Sequence, residues 1–150
     1  MEQKTPRTCW DKFRACKMLG IPYRIVDLGD EIGGFSELRF RFIKINKKDK
    51  DNDRVWVHEL AHTLLHFQKV EAAAGKNTRL NAMAELEADT VAYIACKKLG
   101  CEDRKTYLNY MKVFISRLPA HEQTPYVLDA RMPKLLNIVN IILKSGGYYA

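Results

Sequence analysis

A chain of 150 residues with a net charge of +7, 47% apolar and 29% charged, has the makeup of one globular domain able to bury its own core. It has no run of about 18 apolar residues to span a membrane. Residues 1–7 lack the apolar segment of a secretory signal, so a cytoplasmic location is expected.

The first predicted helix covers residues 8–19, with Trp10, Phe13, Cys16 or Lys17, and Leu19 as its apolar stripe, and Gly20 and Pro22 stop it. A short strand is expected over 23–28, then a turn-rich patch over 29–34. A second strand is expected over 38–46, with Leu38, Phe40 and Phe42 on one face and Arg39 and Arg41 on the other. After a polar loop over 46–53, Asp51, Asn52 and Asp53 are all good caps for a helix running to about Gln68. Residues 71–77 connect it to a long helix over 78–99, which ends at Gly100. Further helices are expected over 104–117, broken by Pro119, and over 133–144, with Pro133 in the first turn. The expected architecture is α+β, a small N-terminal sheet packed on a mainly helical domain.

Four cysteines, Cys9, Cys16, Cys96 and Cys101, include no C-x-x-C pair, and three fall in predicted helices. Buried free thiols are the expectation, and their spacing argues against a four-cysteine zinc site. Much of the positive charge sits at Lys44, Lys47, Lys48 and Lys50 near one loop, and at Lys97 and Lys98 where lysines complement a helix dipole. A basic protein binds DNA weakly and non-specifically at low salt, so this charge gives nucleic acid only slight support as a partner.

The densest chemical signal is His58-Glu59-Leu60-Ala61-His62. Two histidines four residues apart lie one turn apart on one helical face, so both imidazoles can reach a single metal ion. The glutamate between them can hold a metal-bound water, which is the H-E-x-x-H arrangement of zinc metallopeptidases. His66 continues the series but lies about 12 Å along the axis from His58, too far to share the ion, which leaves it a packing or supporting role. The longer metzincin pattern needs Gly at 65 and His at 68, where this chain has Leu65 and Gln68.

Catalytic zinc usually takes a third protein ligand. The helix around Glu85 offers one: Glu85 shares its face with Ala82, Ala88, Asp89 and Ala92, small residues that permit close helix approach. Glu85 and Asp89 are i and i+4, so one can bind metal while the other accepts the free N–H of a ligand histidine. Glu87, beside Met83, Val91 and Ile94, is the alternative third ligand.

On these residues the chain resembles the ImmA/IrrE-type (DUF955) zincin metallopeptidases. The shared phrases are Leu19-Gly20-Ile21-Pro22, Ile45-Asn46, the His58–His66 stretch, and Glu85, Ala88, Asp89 and Ala92, within about residues 8–100. The phrase from Glu85 to Tyr93 also resembles the zincin domain of ArdC-like antirestriction proteins. Ala95-Cys96-Lys97-Lys98-Leu99-Gly100 departs from the Leu-Leu-Met-Pro-like phrase of many ImmA/IrrE members. The resemblance implies a minimal zincin-like fold, Zn2+ held by His58, His62 and Glu85, and a protein substrate such as a phage or mobile-element repressor.

The expected chemistry is metal-assisted peptide hydrolysis with Glu59 as general base and Asp89 supporting a ligand histidine. The strand over 38–46 is the expected edge for an extended peptide. His121, Tyr93, Tyr107 and Tyr126 are candidate oxyanion stabilisers. The alternative is an accessory protein of a phage or mobile element that acts by binding nucleic acid or a partner, with little or no proteolysis. Residues 119–150 carry no feature tied to chemistry, and oligomeric state is not legible in the sequence.

Overall fold

The computed structural model describes residues 10–30, 32–37, 41–66, 78–101 and 104–149. The chain is α+β: helix α1 (Lys12–Leu19), strands β1 (Tyr23–Val26), β2 (Gly34–Glu37) and β3 (Phe42–Asn46), then helices α2 (Asp53–His66), α3 (Thr78–Leu99), α4 (Arg104–Ser116) and α5 (Met132–Ser145). Among the described residues no helix is long and apolar enough to cross a membrane.

Helix α1 starts later than the apolar stripe implies. The Asp11 carboxylate accepts hydrogen bonds from the Phe13 and Arg14 amides, so Asp11 caps the helix and leaves Trp10 outside it. Trp10 is nevertheless buried, its indole N–H donating to the Ile142 carbonyl of α5 at 2.9 Å. Gly20 ends the helix in the left-handed conformation at φ 67°.

The sheet has the order β1-β3-β2, with β1 parallel and β2 antiparallel to β3. This corrects two expectations. Part of the turn-rich patch and the residues after it form a strand of their own, and β3 is the central strand rather than an edge. Arg41, with φ of 49°, stands in a turn immediately before β3, which shortens the expected strand. Beyond that turn the buried face is Ile43 and Ile45, the parity previously assigned to the arginines. Leu38, Arg39 and Phe40 lie outside the described residues, as do Gln68 and the 71–77 connection.

Asn52 opens α2: its side chain accepts from the Arg54 amide at 3.2 Å, and its carbonyl from the Val55 amide at 3.0 Å. Trp56, Val57, Leu60 and Ala61 of α2 pack with Ile43 and Ile45, with Ala88, Val91, Ala92 and Ala95 of α3, and with Leu135, Val139 and Ile142 of α5. A smaller cluster joins Ala82, Met83 and Leu86 of α3 to Leu118 and Leu128. The alanines of α3 have no bulk to hold the helices apart, so α3 lies closely along α2. Cys16 and Cys96 are buried free thiols, whereas Cys101 is exposed, and Cys9 lies outside the described residues.

Candidate metal centre

Helices α2 and α3 bring three sequence-distant groups to one point. His58 and His62, one turn apart on α2, face Glu85 on α3, and one ligand atom from each lies within 4.8 Å of the other two. His58 Nε2 is 3.2 Å from Glu85 Oε2, His62 Nε2 is 3.0 Å from Glu85 Oε1, and the two Nε2 atoms are 3.0 Å apart. Donors about 2.0–2.1 Å from a tetrahedral ion stand about 3.3 Å apart. The observed separations need only a few tenths of an ångström of widening, so the donor set fits a small divalent cation.

The outer edge of each imidazole is also occupied. His58 Nδ1 lies 2.8 Å from Asp89 Oδ1, and the same oxygen accepts from Arg54 Nη2 at 3.3 Å. Asp89 is thus directed at the ring of a ligand histidine and is itself held by a guanidinium. His62 Nδ1 lies 2.9 Å from His66 Nδ1, and His66 Nε2 lies 3.3 Å from Glu87 Oε2. Glu87 is therefore not placed with the three converging donors. It is a buried carboxylate that also meets Arg131 Nε at 3.1 Å.

Glu59 is buried beside the centre, with Oε1 4.0 Å from His58 Nε2. The Ser36 hydroxyl of β2 lies against Glu59 Oε2 and 2.9 Å from the Glu59 carbonyl oxygen. The close passage of β2 explains Gly34: a Cβ built there would stand 2.8 Å from Glu59 Cγ and 3.1 Å from Val55 Cγ1. Glycine is needed here because there is no room for a methyl group.

Charges in this cluster perturb one another. Burial alone would lower the His58 pKa, but hydrogen bonds to Asp89 and Glu85, aided by the Glu59 and Asp89 charges, outweigh it and raise it from 6.5 to about 10. For Glu85, burial pulls upward, and the hydrogen bonds and charges of His58 and His62 win, holding it far below its ordinary 4.5. A proton on His58 and a metal ion compete for the same nitrogen.

The centre opens into a cavity of about 600 Å³ whose lining includes Gly33, Gly34, Lys48, Arg54, Tyr110 and Phe114. The four candidate oxyanion stabilisers do not line this cavity. Tyr93 and Tyr107 stack on each other at 4.3 Å, with the Tyr107 hydroxyl 3.1 Å from Thr90 Oγ1. Tyr126 and His121 are largely exposed. Tyr110 and Arg54 do line the cavity, the Arg54 guanidinium lying 5.4 Å from the Tyr110 ring centroid. Arg54 had a legible signal, since it precedes His58 by four residues on the same helix. Ser36 and Arg131 had none. Comparison with protein-family models, with curated proteins and with solved structures gives no match.

Proposed function

We propose that this chain is a zinc-dependent metallopeptidase with a minimal zincin-like fold of the ImmA/IrrE type, cleaving a peptide bond in a protein substrate. The observation that carries the reading is the convergence of His58, His62 and Glu85 with the carboxylate of Glu59 at their side. A structural zinc site would be closed by a fourth protein ligand and would have no use for a base at that position, whereas a catalytic site keeps one position open.

His58, His62 and Glu85 would hold the ion. When bound, zinc supplies Lewis acidity, lowering the pKa of a water toward neutrality and polarising a carbonyl. Glu59 takes the proton of the attacking water and returns it to the leaving amine. Ser36 holds the Glu59 carboxylate in place, and Asp89 keeps the His58 ring turned with Nε2 inward. An extended substrate would lie along β2, the edge of the sheet on the cavity side, rather than along β3, whose two sides are taken by β1 and β2.

Metal analysis tests the site and substitution tests the chemistry. The protein should bind about one zinc per chain, lost in His58→Ala and in Glu85→Ala. Glu59→Gln should keep the zinc and lose cleavage by a factor on the order of 10² to 10⁴. If Glu59→Gln acts as wild type does in the host while His58→Ala fails, the protein works by binding and the peptidase reading falls.

A further inference from the structure

We propose that His66, Glu87 and Arg131 form a positioning chain that fixes the tautomer and ring angle of His62, tying the segment before α5 to the metal centre. The proposal rests on the reading of His58, His62 and Glu85 as a metal site and adds three residues to it.

If His62 presents Nε2 to a metal, its proton is on Nδ1, and that N–H needs an acceptor. The atom facing it at 2.9 Å is not a carboxylate oxygen but His66 Nδ1. A neutral imidazole accepts at one nitrogen only when its proton is on the other, so His66 must be protonated at Nε2. That nitrogen faces Glu87 Oε2 at 3.3 Å, and the remaining Glu87 oxygen accepts from Arg131 Nε at 3.1 Å. Every donor along the line then meets an acceptor. The opposite tautomer of His66 would turn an N–H toward His62 Nδ1, force the His62 proton onto Nε2, and block the ligand position. Glu87 therefore selects the His66 tautomer, and His66 selects that of His62.

Burial gives this selection its force. His62, His66 and Glu87 are each less than 10% exposed, so water cannot readily substitute for a missing partner. The two ligand histidines are backed in the same chemical order, imidazole to carboxylate to guanidinium. His58 reaches Asp89 and Arg54 directly, whereas His62 reaches Glu87 and Arg131 through one further imidazole. Arg131 closes the short 3-10 turn Asp129–Arg131 that leads into α5. A region without a chemical signature in the sequence thus supplies the last member of the line.

Zinc affinity, measured on metal-free protein by competition with a chromophoric chelator, tests the chain without requiring a substrate. His66→Leu and Glu87→Gln should each weaken zinc binding by about 10-fold to 100-fold. Because they act in series, the double variant should bind no more weakly than His66→Leu alone, whereas independent packing effects would multiply. Arg131→Gln should cost less than Glu87→Gln, and Arg131→Lys should restore most of the loss. In zinc-loaded protein labelled with 15N-histidine, the His62 Nδ1 proton should exchange slowly with water, and fast in His66→Leu. If His66→Leu does not fold, Glu87→Gln, which keeps the side-chain volume, carries the test with Arg131→Gln. Folded variants with wild-type zinc affinity, or losses that multiply in the double, overturn the chain while His58→Ala still abolishes binding. A wild type whose zinc binding survives His58→Ala overturns the metal centre itself.

Discussion

In the metal-free protein His58 carries a proton at neutral pH, because Asp89 and Glu85 accept from both edges of its ring. A metal must displace that proton. Zinc affinity should therefore rise by about tenfold per pH unit between 7 and 9 on account of this one residue, with about one proton released per ion bound. Calorimetric titration in buffers of different ionisation heat measures the release, and a value near zero would contradict the protonated His58. Stability of the metal-free protein should move the other way. The His58 pKa is raised from 6.5 to about 10, so its contribution is complete below 6.5 and fades as the pH climbs toward 10. Glu85, held below 4.5, contributes fully above that value and fades on acidification. For this pair, metal-free stability should peak between about pH 4.5 and 6.5, a window visible in thermal melts across pH and flattened on the alkaline side in His58→Gln.

Among the elements, α2 and α3 carry most of the site, and their chemistry is the part legible in the sequence. His58 with His62, and Glu85 with Asp89, both use the i, i+4 spacing, which a helix converts directly into a shared face. Strand β2 is different. Gly34-Phe35-Ser36-Glu37 lacks the apolar alternation that marks a strand, and it exists by pairing with β3 while crossing over Glu59. Its contribution is proximity, which spacing along the chain does not encode. Gly34→Ala tests that contribution. The added methyl group must displace either the strand or the Glu59 side chain, at a cost of about 1–3 kcal/mol in unfolding free energy. Cleavage should fall more than zinc affinity, since Glu59 moves while the three ligands do not. Equal losses in both would mean that β2 supports the whole centre rather than its base.

On the scale of the whole molecule, the two ends of the described chain are latched together. Trp10 buries its ring against α5 and donates to Ile142, while the Asp11 amide donates to the Gly146 carbonyl at 2.9 Å. Trp10→Ala should cost about 3–5 kcal/mol, read by denaturant unfolding, with zinc affinity per folded molecule unchanged. A parallel loss of affinity would show that the latch bears on the metal centre. The contact had only a partial signal: Trp10 belongs to an apolar stripe, but the stripe does not show that α5 covers it. The same holds for Arg131, whose meeting with Glu87 is a tertiary event between segments that share no pattern.

The two guanidinium-backed lines also set a charge balance around the histidines. Glu59, Glu85, Glu87 and Asp89 bring four carboxylates to the cluster, and Arg54 and Arg131 bring two fixed positive charges. Around His58 itself three carboxylates, Glu59, Glu85 and Asp89, face the one guanidinium of Arg54, a surplus of negative charge that favours a cation there. In the metal-free protein the hydrogen bonds to Asp89 and Glu85, with the Glu59 and Asp89 charges behind them, outweigh burial and make His58 strongly basic. A cation at this point therefore meets an electrostatic preference for positive charge that is separate from the geometry of the three donors.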